Sequence, residues 1–253
     1  MPHASCKPLR IVLLDRKTLP DDIHFRAFSF AHELVQFDQT APDEVPERIK
    51  DADIVITNKA PVRGSAVASA HRLKLVAVAA TGTDVVDVAA CAQRGVIVSN
   101  IRNYAVNTVP EHTFALILAL RRSLPAYRNS VQAGRWQEAN QFCYFDFPIN
   151  DLAGSTLGII GDGALGRSVA DLGRAFGMKV LFSDYKGTSG MGPLYTPFDK
   201  VLEVSDVITL HSPLVPSTRN MISTAEFAQM VKRPLLINTA RGGLVDEGRW
   251  SMH

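Results

Sequence analysis

The stretch Thr156–Asp184 reads TLGIIGDGALGRSVADLGRAFGMKVLFSD. Thr156–Ile160 is a short apolar strand that runs straight into Gly161-x-Gly163-x-x-Gly166. Leu165, Val169, Leu172 and Phe176 then recur at helical spacing, and Gly177 can end that helix in a left-handed conformation. Lys179–Ser183 forms a second strand closed by Asp184. Strand, glycine turn, helix, strand and acid occur here in the order that dinucleotide binding requires. Gly161 permits the tight turn, Gly163 lets the backbone approach a pyrophosphate, and Gly166 lets the helix pack closely on the strand. The helix start offers unpaired N–H groups and the positive end of its dipole to the phosphates. Asp184 lies 23 positions after Gly161, where a carboxylate accepts hydrogen bonds from the adenosine ribose. Its charge repels a 2′-phosphate, so NAD is expected over NADP. Lys186 has the charge to soften that preference, and a solvated loop lysine is expected there. Glycines kept only for packing are the competing reading, and the four flanking features argue against it.

Composition bounds the rest. The chain has 253 residues, 46% of them hydrophobic, enough for one large or two modest domains. With 27 basic and 25 acidic residues the net charge is +2, so no global field favours nucleic acid. The apolar run Phe114–Leu120 is too short to span a bilayer, and the N-terminal apolar run meets Asp15 at once, as a first strand does and a signal peptide does not. Cys6, Cys91 and Cys143 are widely spaced, which implies neither a disulfide framework nor a zinc site and suits a reducing cytoplasm. No metal site is expected.

Upstream of the glycine turn, candidate strands at Arg10–Leu14, Leu34–Phe37, Ile54–Thr57, Leu75–Ala79 and Val96–Ser99 alternate with helical patterns at Val45–Lys50, Ser65–His71 and Val86–Arg94. That alternation predicts a parallel sheet covered by helices. A long helix is predicted from Thr108, with Thr108-Val109-Pro110-Glu111 as a capping box, and a domain boundary just before it near Asn103. Trp136–Asn150 is aromatic and irregular, and reads either as an arm covered by a second subunit or as a loop packed on its own domain. Downstream, helices at Phe198–Val204 and Thr224–Val231 flank strands Val207–Leu210 and Leu235–Ile237. Those strands end in His211-Ser212-Pro213 and Asn238-Thr239-Ala240-Arg241-Gly242, at the carboxyl ends where open parallel sheets bind ligands.

TGTD (Thr81–Asp84), NTVPEHT (Asn107–Thr113), GDGALG (Gly161–Gly166), ITLHSPL (Ile208–Leu214) and LINTARGGLVDE (Leu236–Glu247) occur in this order. Together they resemble the D-isomer-specific 2-hydroxyacid dehydrogenase family, with its glycerate dehydrogenase branch as the nearest likeness, over about Arg10–Glu247. The resemblance implies an α/β protein of two domains. Residues 1–103 form a flavodoxin-like substrate domain, and residues 104–253 a Rossmann NAD-binding domain with a parallel sheet. It implies hydride transfer between NAD(H) and a 2-hydroxy or 2-keto acid such as glycerate and hydroxypyruvate. Arg241 would clamp the substrate carboxylate and polarise the carbonyl, a role suited to a permanently charged guanidinium fork. Backbone N–H groups around Thr81 and Gly82 would also hold the carboxylate, and Asn58 and Lys59, at another strand end, are further substrate-binding candidates. Besides Gly161, Gly163, Gly166 and Asp184, the cofactor would touch Val109, Ala164, Leu165, His211, Pro213, Thr218, Thr239, Ala240 and Arg241. His211 would support the cofactor without acting as acid or base. Ser168 and Ser212 lack a paired histidine, and Glu111-His112 is no metal motif.

In that family the proton donor is a histidine assisted by a carboxylate, both downstream of the TARGG motif. Here the sequence stops at His253, and Gly248–His253 does not continue the expected helix. The sequence therefore predicts a C-terminally truncated member with the last strands of the cofactor domain missing. The alternative function is an impaired member that binds only NAD or a partner subunit. With the tail present, a homodimer is expected.

Overall fold

The computed structural model describes residues 7–248. The chain divides into one unit ending at Tyr104 and a second starting at Ala105. In the first unit the order is β1 (Leu9–Leu13), β2 (His32–Gln36), α1 (Val45–Ile49), β3 (Ile54–Thr57), α2 (Gly64–Ser69), β4 (Leu75–Val78), α3 (Val88–Gln93) and β5 (Ile97–Asn100). The five strands are parallel and lie in the order β2-β1-β3-β4-β5, the flavodoxin-like arrangement. The central strands β1 and β3 are buried or nearly so along their length, which is why they read as continuous apolar runs, while the edge strand β5 leaves Ile97 and Ser99 exposed. Val12, Val55, Val76 and Val78 pack with the helices on one face, and Ile11, Leu13 and Ile56 pack with Phe28 and Leu34 on the other.

The second unit opens with helices α4 (Thr108–Arg121), α5 (Leu124–Gln132) and α6 (Arg135–Ala139). A sheet unit follows: β6 (Thr156–Ile160), α7 (Ala164–Ala175), β7 (Lys179–Ser183), β8 (Tyr195–Thr196), α8 (Phe198–Val204), β9 (Val207–Leu210), α9 (Thr224–Gln229) and β10 (Leu235–Asn238). Its parallel strands are ordered β10-β9-β6-β7-β8, so the chain starts in the middle, runs out to one edge and returns to build the other. The reversal falls between β6 and β9, the switch point at which open α/β sheets bind ligands. Phe114, Ile117, Leu157, Ile159 and Val169 form the core on one face, and Ile160, Leu202, Ile208, Leu210 and Ile222 that on the other.

Several local expectations need correction. Thr108 is the first helical residue and not a cap; Asn107 precedes it with helical dihedrals and no side-chain cap bond, so the capping box at Thr108–Glu111 does not form. A capping box does form at Ser223 and Glu226, at the start of α9. Within 136–150 the first residues are helical, and α5 before them went unpredicted; neither α5 nor α6 buries a residue, so no apolar stripe marks them. The two-residue strand β8, too short for periodicity to show, pairs Tyr195 with Phe182 and Thr196 with Ser183.

Candidate functional site

The glycine turn is built as its sequence requires. Gly161 has φ +109°, and a Cβ there would lie 2.7 Å from the His211 carbonyl carbon, so only glycine fits between β6 and the turn after β9. A Cβ on Gly166 would lie 2.0 Å from the Gly161 carbonyl oxygen, so α7 approaches the turn on bare backbone. Gly163 differs, because a Cβ there meets nothing within 4 Å. Its backbone therefore borders open space at the head of α7, and no side chain caps that helix. Ala164 and Leu165 supply its first N–H groups, which have no intrahelical acceptor. An uncapped helix start, a backbone cradle and an acid at the next strand end fit the pyrophosphate and ribose of a dinucleotide.

Asp184 follows β7 and is 2% exposed. Its N–H donates to the Thr196 carbonyl at 2.8 Å, and its Oδ1 accepts the Met191 N–H at 3.3 Å. Beside it the Tyr195 hydroxyl donates to Asp162 Oδ2 at 2.5 Å, and this bond raises the tyrosine's pKa. Asp162 sits at a variable position of the fingerprint, where the motif gives no hint of such a bond. Lys186 is exposed, as expected of a loop lysine, but it is also paired. Its ammonium lies 2.7 Å from Glu226 Oε1 and donates to the Met221 carbonyl at 2.9 Å.

The turns after β9 and β10 hold the remaining candidates of this unit. Pro213 is exposed, and its carbonyl accepts the Thr218 hydroxyl at 2.6 Å, while Thr218 Oγ1 accepts the Val215 N–H at 2.9 Å. Thr218 thus fastens the turn. Asn238, which the sequence reading passed over, shapes the next turn: its Oδ1 accepts the Ala240 N–H at 3.1 Å and its Nδ2 donates to the Arg241 carbonyl at 2.9 Å. An asparagine at a strand end is the available signal for such a turn. Arg241 Nη1 donates to the Ala240 carbonyl at 3.0 Å. Thr239 Oγ1 lies 3.1 Å from Thr113 Oγ1, which ties the turn to α4. Val109, Thr239, Ala240 and Arg241 line a cleft of about 890 Å³, together with the exposed His112. The glycine turn, Asp184 and His211 are not among the residues that line it.

His211 Nε2 lies 2.9 Å from Thr209 Oγ1, and its buried Nδ1 has no partner among the described residues. Burial lowers its pKa from 6.5 to about 4, so the imidazole is neutral at pH 7. It is therefore no reservoir of protons for catalysis at neutral pH. Below pH 6.5 the unfolded chain takes up a proton at this site that the folded chain refuses until about pH 4. Stability at this site is therefore complete above pH 6.5 and is lost as pH falls toward 4, by about 2–3 kcal/mol. His211→Gln should flatten thermal stability between pH 6.5 and 4; an unchanged profile would show that other groups govern the acid limb.

In the first unit the carboxylate of Asp15, after β1, organises the loop after β3. It accepts N–H groups from Asn58 at 3.0 Å, Lys59 at 2.5 Å and Ala60 at 2.8 Å, and is 3% exposed. Asn58 Nδ2 donates to the Thr18 carbonyl at 3.1 Å, and Lys59 is exposed. In the sequence Asp15 marks only the end of an apolar run. Asp15→Asn exchanges one acceptor oxygen for a donor facing N–H groups, which should cost about 2 kcal/mol in thermal unfolding. A cost under about 0.5 kcal/mol would mean that the loop holds itself. The Thr81, Gly82 and Thr83 N–H groups, after β4, find no acceptor among the described residues, while the Thr81 carbonyl accepts Asn100 Nδ2 at 2.7 Å. The described residues contain no cluster of three metal-ligating side chains and no helix long and apolar enough to cross a membrane.

A parallel sheet with a glycine turn at its switch point and an acid after the next strand defines a dinucleotide-binding α/β protein. Residues 114–249 match the model of the D-isomer specific 2-hydroxyacid dehydrogenase NAD binding domain. The chain is 52% identical over 239 residues to the glycerate dehydrogenase of Methylorubrum extorquens, covering 94% of this chain and 74% of that relative. It is 34% identical over 246 residues to the hydroxypyruvate reductase of Blautia hydrogenotrophica, covering 94% and 76%. Among solved structures, a glyoxylate reductase from Paecilomyes thermophila superposes with a TM-score of 0.80 at 26% identity, covering 98% of this chain and 78% of that one. A D-lactate dehydrogenase from Aquifex aeolicus, solved with NAD and lactic acid, gives a TM-score of 0.77 at 28% identity, covering 96% and 72%. The chain belongs to the D-isomer-specific 2-hydroxyacid dehydrogenase family, whose members are NAD-dependent oxidoreductases acting on small hydroxy and keto acids.

Proposed function

We propose that this chain serves the interconversion of hydroxypyruvate and D-glycerate, with NAD(H) preferred over NADP(H). The 52% identity to a glycerate dehydrogenase carries the choice of substrate. NADH, when bound, supplies the hydride that reduces C2 of the keto acid. Gly161, Gly163 and Gly166, with the N–H groups of Ala164 and Leu165, would hold its pyrophosphate, and Asp184 would meet its ribose. Val109, His211, Pro213, Thr218, Thr239 and Ala240 would complete the cofactor contacts. Arg241 grips the substrate carboxylate in a fork and draws charge onto the carbonyl oxygen. It retains its protons at neutral pH, so it stabilises the developing alkoxide without protonating it. The free N–H groups of Thr81 and Gly82 suit a carboxylate, and the loop anchored by Asp15 presents Asn58 and Lys59 for substrate contact.

The unit ending at Tyr104 is read as the substrate domain and the unit from Ala105 as the cofactor domain. Phe142 and Phe145, each 87% exposed, are read as part of a homodimer contact. The functional test is NADH oxidation by hydroxypyruvate and glyoxylate. It is run on the 253-residue chain and on the same chain extended with the part of the glycerate dehydrogenase beyond the matched region. Formation of D-glycerate, faster with NADH than with NADPH, is expected of the extended chain. Failure of that chain to reduce either acid would overturn the reading.

A further inference from the structure

The turn after Asp184 carries a cation whose position is set from elsewhere in the unit. Thr188 N–H donates to the Tyr185 carbonyl at 2.9 Å, closing a turn with Lys186 and Gly187 at its centre, and Gly187 has φ +78°. Such a turn takes glycine at its third position and holds its second residue in a fixed orientation. Lys186 therefore stands two residues beyond the acid expected to meet the ribose hydroxyls. A cation at that place is the chemistry that accepts a 2′-phosphate. Here its ammonium lies at the start of α9, 2.7 Å from Glu226 Oε1 and 2.9 Å from the Met221 carbonyl. Glu226 is 5% exposed, and its other oxygen accepts the Ser223 N–H at 2.9 Å and the Ser223 hydroxyl at 2.7 Å. The carboxylate is fixed by the start of α9, while the lysine remains 38% exposed. The fixed carboxylate thus sets where the ammonium rests.

We infer that Glu226 is a nucleotide-selectivity residue: by holding Lys186 at the start of α9 it keeps that cation away from the ribose 2′ position and disfavours NADPH. The inference rests on the reading that Asp184 faces the ribose. Two carboxylates then act together. Asp184 repels a 2′-phosphate directly, and Glu226 removes the charge that would offset the repulsion. Neither requires Glu226 to touch the cofactor, so it is a positioning residue.

Glu226→Gln provides the test, because glutamine also serves the third helical position of a capping box and so spares α9. Kd values for NADH and NADPH are measured by equilibrium titration on the unsubstituted chain, Glu226→Gln, Lys186→Met, the double variant and Asp184→Ala, with circular dichroism as the check on folding. In Glu226→Gln the lysine need no longer give up an ion pair worth about 1 kcal/mol to meet a 2′-phosphate, so NADPH should bind that variant about fivefold more tightly while NADH changes less than about twofold. Adding Lys186→Met should abolish the gain. An unchanged NADPH-to-NADH ratio in Glu226→Gln would overturn the inference, as would a gain that survives Lys186→Met. Asp184→Ala isolates the underlying reading: if it leaves the ratio unaltered, Asp184 does not face the ribose, whatever the Glu226 variants do. If the unsubstituted chain binds neither nucleotide, the site reading and this inference fall together.

Discussion

Replacing Arg241 by lysine should lower kcat/KM for hydroxypyruvate by about 10²–10³-fold while the Kd for NADH stays within about twofold. The substitution keeps the positive charge and removes the planar fork, so two directed hydrogen bonds to a carboxylate become one. Preorganised donors aimed at developing charge are the interactions whose loss lowers kcat most. Asn238 holds the backbone on either side of the Arg241 turn through Ala240 N–H and the Arg241 carbonyl. The Arg241 side chain also donates to the Ala240 carbonyl, so circular dichroism checks that the turn is kept, and a loss confined to turnover reports on chemistry. The assay uses the extended chain, with NADH titration in parallel. Equal losses in keto acid turnover and NADH binding would instead make Arg241 a structural residue of the turn after β10.

Gly163→Val should weaken NADH by about 100-fold with little loss of stability. The space around its Cβ is empty, so valine meets no protein atom, and the new side chain occupies the volume that the pyrophosphate needs. Gly166→Ala should behave in the opposite way. Its Cβ would lie 2.0 Å from the Gly161 carbonyl oxygen, which forces α7 off the glycine turn and should cost about 3 kcal/mol or more. Three glycines of one motif therefore separate into two classes, one guarding ligand space and the others guarding packing. Circular dichroism melts beside NADH titrations distinguish them. A Gly163→Val protein that melts far below its parent, or one that binds NADH normally, would break the division.

How much of this was readable in advance depended on the length scale of each interaction. Strands β3, β6, β7 and β9 matched their predicted limits because buried parallel strands are continuous apolar runs bounded by turns. The glycine turn was readable for the same local reason. Helices α5 and α6 were not, since they bury no residue and so leave no apolar period. Interactions that join distant segments were silent as well. Asp15 looked like the end of a strand, although its carboxylate anchors residues 43 to 45 positions away. Lys186 read as solvated because its partner Glu226 lies 40 positions on, at the start of a different helix. Composition and periodicity report what a residue does for its own element and say little about a carboxylate that serves another.

Everything proposed for this chain depends on the turn between β6 and α7 binding the pyrophosphate of NAD. Calorimetric titration of the protein with NADH, followed by competition with ADP-ribose, tests it most directly. One saturable site per chain, from which ADP-ribose displaces NADH and adenosine does not, is the predicted result. Absence of saturable binding, or NADH binding that ADP-ribose leaves untouched, would contradict it.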